Sequence, residues 1–412
     1  MITNKRKENF YIPIKFKFFI ALFLSIIWLL ISIFLSIKWF KDLSNLTNPF
    51  IAIIIISGIA YIPGFINTFL IMSIILDKQP KYSVNNPKDE VTILIAAYNE
   101  ESTIYNTLRH IKNQEYLGNI KIIVIDNNST DNTKKEILKA KNNMNLDLEY
   151  VLETNQGKFN ALNSGLKQVK TEYFITLDAD TILQRKAINN IVSRIKSSPI
   201  NIGAVAGSVL VRNNTDNILS RLQVCDYFLS IMFIKRMQGL FQGTLVAQGA
   251  FSIYKTDLVK ELGGWSDAIG EDIILTWSML YKNNKVFYEP LAIAFTDVPT
   301  KFSHFVKQRS RWARGMIEGL KLFKPWNQPN MYYKFLTGID IFIIFIDFSY
   351  VLFFIPGCIF ALFGKYYIVG PMLLLVLPLT FITFGILYKY QKKFYDMLRL
   401  RTKRNILGFI KI

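Results

Sequence analysis

Four long stretches of the chain are almost uniformly apolar, two of them before residue 80 and two after residue 330. Residues 18–37 carry no charge over twenty positions, and at about 1.5 Å per residue such a helix reaches across a hydrocarbon layer of about 30 Å. Residues 48–76, 335–363 and 366–388 are stretches of the same kind. The four stretches predict transmembrane helices, and the first is too long to be the apolar part of a cleavable signal peptide.

Two aspartates, Asp340 and Asp347, interrupt the third apolar stretch. A carboxylate is costly in lipid, so these side chains either face a channel or a partner helix, or lie close to the helix ends. Lys and Arg are frequent before the first stretch and after the last, and rare in the connections within each pair. Because basic residues stay on the cytoplasmic side, we expect a multi-pass plasma-membrane protein with both termini and residues 80–330 in the cytoplasm.

Between the two pairs of apolar stretches, short apolar runs alternate with segments of helical periodicity. Residues 91–96, 121–125, 149–152 and 173–177 have the pattern of buried strands, and each is followed by a polar cluster and then a helix. This alternation predicts right-handed crossovers and a mostly parallel α/β sheet. The polar clusters follow the carboxyl ends of the strands, which is where open α/β sheets bind ligands.

The composition agrees with membrane helices combined with an α/β region. Of 412 residues, 51% are hydrophobic and 19% are charged, against about 25% charged in soluble domains. The net charge of +19 is better explained by basic residues beside the membrane than by nucleic acid as a partner. The two cysteines and two histidines show no ligand spacing, so neither a disulfide framework nor a zinc site is expected.

Charged residues follow two of the predicted strands. Asp178 and Asp180, just after residues 173–177, suit a hard cation such as Mg²⁺ or Mn²⁺ that shares its oxygen ligands with phosphates; a solvated turn is the alternative. Asp126 ends another strand and can either accept hydrogen bonds from a nucleoside or serve only its turn. Lys158, after a glycine, can meet a phosphate or be an ordinary surface lysine.

Two further motifs lie nearer the carboxyl end. Asp272 precedes an apolar helix and can act as a general base, or it can be an acidic helix start favoured by the helix dipole. Residues 308–312 lie in a basic amphipathic stretch, where Arg311 can hold a diphosphate and Trp312 can stack on a sugar. A helix on the membrane surface is the alternative for this stretch, and both roles are compatible.

In this order, the motifs resemble those of the processive family 2 glycosyltransferases, the membrane synthases of cellulose, hyaluronan, chitin oligosaccharides and poly-N-acetylglucosamine. The motifs are Ala97-Tyr98-Asn99-Glu100, Asp126, Gly157-Lys158, Asp178-Ala179-Asp180, Glu271-Asp272 and Gln308-x-x-Arg311-Trp312. The resemblance covers about residues 45–325, and within the family the chain most resembles the bacterial poly-β-1,6-N-acetylglucosamine synthases. It differs from the cellulose and poly-N-acetylglucosamine synthases at Gly270, where Thr is usual in them and where hyaluronan synthases also carry Gly. It also departs from the family at Ala247-Gln248-Gly249, where Ser-Gly is common near the acceptor.

The resemblance implies a role for each matched residue. The residues implied to hold the nucleotide sugar are Tyr98, Glu100, Asp126, Lys158 and Asp178, with Asp180 as the ligand of Mg²⁺ or Mn²⁺. Asp272 is implied as the base that deprotonates the acceptor hydroxyl. Gln308, Arg311 and Trp312 are implied to close over the diphosphate and to position the acceptor.

The resemblance also implies an organisation around a GT-A-like cytoplasmic domain. The expected parts are two transmembrane helices in residues 1–80, the GT-A-like domain in 81–300, amphipathic interface helices in 301–330, two transmembrane helices in 331–390 and a basic tail in 391–412. The implied partners are a UDP-sugar, the growing polysaccharide, membrane lipid, and a small membrane subunit or a second copy.

The expected activity is processive, inverting transfer from a UDP-sugar, with UDP-N-acetylglucosamine favoured, into an exported β-linked polysaccharide. Two alternatives stay open: transfer of one sugar to a lipid-linked acceptor, and synthesis of a hyaluronan-like or other exopolysaccharide. A catalytically inactive sensor is a further alternative, against which stands the presence of every expected carboxylate.

Overall fold

The computed structural model describes residues 12–78, 80–370, 385, 386, 388 and 389. The described residues fall into two compact units, which divide in the sequence after residues 80 and 341. The helical unit comprises the described residues up to 80 and from 342 to 370, and the sheet unit comprises residues 81–341 with the described residues after 384. Every motif that carries the family resemblance lies in the sheet unit.

The helical unit begins with two apolar segments. Its helices are α1 (Ile14–Leu35), α2 (Ile37–Leu46), α3 (Pro49–Ile56) and α4 (Ile62–Ile75), with a π-helical turn at Ser57–Tyr61. Asn48 begins α3 by accepting a hydrogen bond from the N–H of Ile51 at 2.9 Å. By length and composition, α1 and the continuous segment Pro49–Ile75 can each cross a membrane. They coincide with the spans predicted at 18–37 and 48–76.

The sheet unit follows with alternating strands and helices. Its first part is β1 (Val91–Ala97), α5 (Ile104–Lys112), β2 (Ile120–Asp126), α6 (Thr133–Met144), β3 (Leu148–Leu152), α7 (Lys158–Gln168), β4 (Tyr173–Leu177), β5 (Ile182–Leu183) and α8 (Ala187–Lys196). Its second part is β6 (Ile202–Val211), α9 (Ile218–Tyr227), α10 (Lys235–Leu240), β7 (Phe251–Lys255), α11 (Thr256–Glu261), α12 (Glu271–Tyr281), β8 (Lys285–Thr296) and α13 (Phe302–Leu322). The α/β prediction is confirmed.

The eight strands form one mixed sheet in the order β3-β2-β1-β4-β7-β6-β8-β5. The four strands β3, β2, β1 and β4 are parallel, as the strand–helix repeat predicts. β7 enters between β4 and β6 and runs antiparallel to both. The strand–helix repeat in the sequence ends after the first four strands. The prediction of a mostly parallel sheet therefore did not include the antiparallel β7.

The core of the sheet unit lies where the helices cover the strands. Ile104, Leu108 and Ile111 of α5 recur at helical spacing and are buried against the sheet. The strand residues Ile93 and Ile95 share that core and are fully buried. Because both faces of the strands are covered, the strands read as continuous apolar runs rather than as alternating patterns.

A third apolar segment, Met331–Leu362, follows a short 3₁₀ turn at Pro325–Asn327. It consists of α14 (Met331–Ser349), a π-helical turn and α15 (Ile355–Leu362), and by length and composition it can also cross a membrane. It coincides with the predicted span at 335–363. Asp347 lies in the middle of the continuous segment Met331–Leu362. A position near either end of this membrane-length segment therefore does not account for it. The predicted fourth span, residues 366–388, lies largely outside the described residues.

Candidate active site

The strand register brings the motifs to one edge of the sheet. Ala97 at the end of β1 is paired with Asp126 at the end of β2. Leu177 at the end of β4 is paired with Phe251 at the start of the antiparallel β7. The loop that contains Ala247-Gln248-Gly249 therefore reaches the same edge as the strand-end carboxylates.

The loops after β1 and β2 are bonded to each other and form one wall of the site. Asn99 has a left-handed backbone (φ +55°), which Asn tolerates better than most residues. Its backbone N–H donates to Ser129 Oγ at 3.0 Å, and its side-chain oxygen accepts the N–H of Thr130 at 2.9 Å. This pairing fixes the turn that carries Tyr98, whose side chain is half exposed and free to contact a base or sugar.

Asp126 is buried and serves its turn as well as the wall. One carboxylate oxygen accepts the N–H of Ser129 at 2.9 Å, and the other accepts the hydroxyl of Tyr150 at 2.8 Å. Burial, and then the bond to Asp126, raise the pKa of Tyr150, so this hydroxyl keeps its proton and donates. The predicted turn role of Asp126 is confirmed, and contact with a nucleoside stays a prediction.

Lys158 and Asp178 form the central contact of the site. The Lys158 Nζ lies 2.6 Å from Asp178 Oδ1, and their side chains are 40% and 34% exposed. Gly157, just before Lys158, has φ +129°, and its N–H donates to Asn127 Oδ1 at 2.8 Å. Burial lowers the pKa of Lys158, but the charges of Asp178, Glu271 and Asp272 outweigh it, so the net pKa is raised. Lys158 is therefore a cation that faces several carboxylates at once.

Asp180 lies near two other carboxylates, those of Asp178 and Glu100. Burial raises the pKa of Asp180 to about 6, and the charges of Asp178 and Glu100 act in the same direction. Burial also raises the pKa of Glu100, with Asp178 and Asp131 adding to it and a hydrogen bond from Thr103 opposing it. Carboxylate oxygens that repel one another are the donors that Mg²⁺ and Mn²⁺ prefer. The donor set fits such a cation, although within the described ranges no group of three or more His, Cys, Asp or Glu side chains is arranged to hold one.

Asp272 lies in the first turn of α12, beside Glu271. Burial raises the pKa of Glu271, Asp272 adds to this, and the cations Lys158 and Arg311 oppose it. Both carboxylates also act on Lys158. The start of α12 is thus acidic, as the helix-dipole alternative requires, and its charges also reach the Lys158–Asp178 pair, as the catalytic prediction requires.

Helix α13 packs against the start of α12 through a contact that only glycines allow. A Cβ on Gly270 would lie 2.6 Å from Gly315 Cα, and one on Gly315 would lie 2.7 Å from Gly270 Cα. The N–H of Ile269 also donates to the Glu318 carboxylate at 3.0 Å. The glycine at 270, where cellulose and poly-N-acetylglucosamine synthases usually have Thr, thus has a steric reason in this chain. The contact packs α13, the helix that carries Gln308, Arg311 and Trp312, against the start of α12.

The three predicted residues of α13 have different surroundings. Arg311 is exposed and its charge reaches Glu271. Trp312 packs against the sheet core and against Tyr227, with ring centroids 6.1 Å apart. The side-chain oxygen of Gln308 is buried and has no hydrogen-bond partner among the described residues. A buried amide oxygen without a partner is costly, so Gln308 is suited to accept a bond from a ligand.

Several residues that the sequence analysis did not single out complete the site. Arg309 stacks over the Trp312 ring, 4.3 Å from its centroid, and forms an ion pair with Asp226 of α9. Its spacing from Trp312 puts the two on one helix face, a signal that the sequence offers but that does not identify Asp226. Glu271 stood in its motif without a role, and Lys235 was missed, because the surroundings of both depend on neighbours distant in sequence.

Comparison with known proteins agrees with this arrangement. Residues 92–263 match the family described as "Glycosyl transferase family 2". The chain is 38% identical over 247 residues to "Poly-beta-1,6-N-acetyl-D-glucosamine synthase" of Staphylococcus aureus (strain COL), covering 60% of this chain and 58% of that protein. The protein of the same name from Staphylococcus epidermidis is 38% identical over 232 residues, covering 56% of this chain and 55% of that one. The chain thus spans less than two thirds of the length of these relatives.

Among solved structures, the chain is similar to the mannosyltransferase PcManGT from Pyrobaculum calidifontis, determined in complex with GDP-Man and Mn²⁺. The TM-score is 0.54 at 18% identity, covering 73% of this chain and 98% of that one. At this identity the likeness establishes the fold alone. The predicted GT-A-like fold is confirmed.

Proposed function

We propose that this chain, whose residues 92–263 are a family 2 glycosyltransferase domain, is a processive, inverting glycosyltransferase. Its donor is a UDP-sugar, with UDP-N-acetylglucosamine the favoured one, and its product is an exported β-linked polysaccharide. The observation that carries the proposal is the convergence of Lys158, Asp178, Asp180 and Asp272 at one sheet edge, next to the helix with Gln308 and Arg311. The identity to two poly-β-1,6-N-acetyl-D-glucosamine synthases supports the choice of donor and polymer.

The donor is held by the edge formed by the loops after β1, β2 and β4. Half-exposed Tyr98 contacts the uracil or ribose, with Glu100 and Asp126 on the same wall. Lys158 can exchange one oxygen of Asp178 for an oxygen of the diphosphate, because both side chains are partly open to solvent. Arg311 is the second cation for the diphosphate.

Asp272 removes the proton of the acceptor hydroxyl. Its place in the first turn of α12 suits a carboxylate, because the helix dipole favours negative charge there. The hydroxyl oxygen then attacks the anomeric carbon from the face opposite UDP. The bond from that carbon to the diphosphate oxygen breaks, UDP leaves with the electron pair, and the configuration is inverted. Trp312, in contact with Tyr227 and Arg309, supplies an aromatic face for the acceptor sugar. The buried side-chain oxygen of Gln308 accepts a hydrogen bond from one of the sugar hydroxyls.

We assign a divalent cation, Mg²⁺ or Mn²⁺, to Asp180, with Asp178 beside it. The crowding that raises the pKa of Asp180 supports this assignment, since a cation relieves it. When bound, such an ion stabilises the negative charge of the departing diphosphate.

Three apolar segments support a reaction at a membrane. In this proposal residues 1–80 and 331–390 are the membrane parts of a multi-pass plasma-membrane protein, 81–300 the cytoplasmic catalytic domain, 301–330 the interface and 391–412 a cytoplasmic tail. A hydrophilic polymer cannot cross lipid unaided, so extension beside a channel couples synthesis to export. Lipid, the growing chain and either a small membrane subunit or a second copy are the proposed partners.

The test uses membranes that contain the full chain and three separate donors, UDP-N-acetylglucosamine, UDP-glucose and UDP-glucuronic acid. UDP release and product length are recorded with and without Mg²⁺ or Mn²⁺. Metal-dependent growth of long polymer from UDP-N-acetylglucosamine alone is the expected result. A single sugar on lipid replaces the proposal with the non-processive alternative, and a requirement for two donors replaces it with a hyaluronan-like copolymer.

Two variants distinguish the proposed metal ligand, Asp180, from the proposed base, Asp272. Asp180→Asn should weaken metal-dependent UDP binding, whereas Asp272→Asn should leave UDP binding intact and stop transfer. Normal UDP binding by both variants contradicts the metal assignment.

A further inference from the structure

Lys235 is a buried lysine that none of the roles above uses. It begins α10, directly after the π-helical turn Phe228–Ile234, and its side chain is 8% exposed. Its Nζ donates a hydrogen bond to the side-chain oxygen of Gln248. Among the described residues it has no carboxylate at ion-pair distance. A buried cation held only by an amide is unusual, because burial of charge is costly.

Gln248 is the middle residue of a loop that contacts both halves of the site. Its side-chain amide donates to the Gly207 carbonyl of β6 at 2.8 Å, which turns its oxygen toward Lys235. The N–H of Ala247 donates to Thr276 Oγ1 at 3.0 Å, on the helix that bears Asp272. On the other side, a Cβ on Gly249 would lie 3.0 Å from Lys158 Nζ. The loop of residues 247–249 therefore links α12 to the Lys158–Asp178 pair.

Lys235 also experiences the charge of the acid on the helix that the loop contacts. Burial lowers the pKa of Lys235 to about 7, and the charge of Asp272 on α12 opposes this. Of the other elements packed against α10, β8 places Tyr288 against Gly239, and the preceding π-helical turn contains no titratable residue. Asp272 is thus the carboxylate whose field Lys235 experiences.

We propose that Lys235 is a positioning residue for transfer: bonded to Gln248, its charged form holds the 247–249 loop and Asp272 in register with the Lys158–Asp178 pair. This inference rests on the proposed function, because it assigns the base role to Asp272. It also explains the Gln at 248, where the family commonly has Ser: the short hydroxyl of a serine does not bridge from the loop to a lysine on α10, and the longer amide does.

The first experiment compares UDP release by the full chain in membranes for the wild type and four variants. Lys235→Met leaves the Gln248 oxygen buried without its partner, so transfer should fall by roughly tenfold or more, with UDP binding unchanged. Gln248→Ser should lower transfer by a similar factor, and the Lys235→Met, Gln248→Ser double variant should lose little more than either. Lys282→Met is the matched control, because this exposed lysine pairs with Glu261 at the surface. Fully multiplicative losses in the double variant contradict the pairing.

The pH profile distinguishes positioning by charge from a merely structural role. As pH rises through about 7, the wild type should lose transfer as Lys235 loses its proton. Lys235→Arg keeps its charge at every accessible pH, so it should restore part of the activity and lack this basic limb. Superimposable wild-type and Lys235→Arg profiles overturn the proposal.

A readout independent of turnover separates this inference from the proposed function. The pKa of Lys235 falls from 10.5 in the unfolded chain to about 7 when folded, so between these values the unfolded state binds the extra proton and folding stability rises with pH. Thermal unfolding of the detergent-solubilised chain should show this rise in the wild type and less of it in Lys235→Met. If no UDP-sugar is turned over, the proposed function fails. If folding stability rises equally with pH in the wild type and in Lys235→Met, the burial of Lys235 is refuted, whatever the result for turnover.

Discussion

Two ion pairs of the sheet unit have the same length and opposite surroundings. Arg194 Nε lies 2.6 Å from Glu289 Oε2, and Lys158 Nζ lies 2.6 Å from Asp178 Oδ1. The first pair joins α8 to β8 with side chains 8% and 1% exposed, whereas those of the second are 40% and 34% exposed. Distance alone therefore does not separate a structural pair from a ligand-binding one.

The difference lies in the surroundings of each pair. Glu289 also accepts the N–H of Leu291 at 2.9 Å, and the Arg194 guanidinium lies 4.8 Å from the centre of the Tyr82 ring. The buried pair is closed to ligands, and removing one member leaves the other as an unpaired charge in the protein interior. Lys158, by contrast, faces Asp178, Glu271 and Asp272 at a partly open edge. The buried pair is thus suited to maintain the fold, while the open pair has the solvent access that exchange with a substrate requires in the proposed function.

The largest effect is expected in the open region and on rate alone. Asp272→Asn removes the proposed base, so transfer should fall by about 10²–10⁴-fold. Stability should change by less than about 1 kcal/mol, because only a charge in the first turn of a helix is lost. UDP release and thermal unfolding measure the two effects. A loss of unfolding free energy as large as the loss in activation free energy would mean that Asp272 has a structural role, as the buried pair does.

The buried region should respond in the opposite way. Glu289→Gln leaves the Arg194 charge without its counter-ion and should lower the unfolding free energy by about 3–5 kcal/mol. Well below the unfolding temperature, the KM for UDP-sugar should stay unchanged. Arg194→Met with Glu289→Leu removes both charges and is the control, since replacing a whole buried pair is often close to neutral.

Lys158→Met tests whether the open pair binds UDP or stabilises the fold. We expect UDP affinity to fall by a free energy of about 1.5–3 kcal/mol, the value of a hydrogen bond to a charged group. The loss of folding stability should stay within about 1 kcal/mol, as for partly exposed pairs. Titration with UDP and denaturant unfolding provide the two numbers. Normal UDP affinity in this variant would make Lys158–Asp178 a structural pair after all.

The smallest expected effect concerns packing rather than charge. Gly315→Ala places a Cβ 2.7 Å from Gly270 Cα, so α13 must move away from α12 at a cost of about 1–3 kcal/mol. Because α13 carries Arg311 and Trp312, transfer should slow while UDP binding changes less. Ala313→Gly on an exposed position of the same helix controls for helix propensity. Equal behaviour of the two variants would exclude a positioning role for the glycine contact.

Much of the fold could be predicted because the signals are local. The predicted spans at 18–37 and 48–76 follow from uncharged apolar runs, and the one at 335–363 follows from an apolar run interrupted by Asp340 and Asp347. The first four strands follow from apolar runs with polar ends. Asp178 and Asp180 could be singled out because they follow β4 directly. The place of β7 between β4 and β6 could not, since strand order after the repeat depends on loops whose path no periodicity encodes.

The sequence by itself determined the chemistry available to this protein: carboxylates at strand ends, a Gly-Lys pair, an acidic helix start, a QxxRW helix and flanking apolar segments. Each follows from neighbouring residues and their spacing. Only the tertiary structure decided which of them meet. The Lys158–Asp178 bond, the Gly270–Gly315 contact and the Lys235–Gln248 bond each join residues far enough apart in the chain to lie on different elements. Such contacts arise from the packing of whole elements against one sheet, and so no local pattern specifies them.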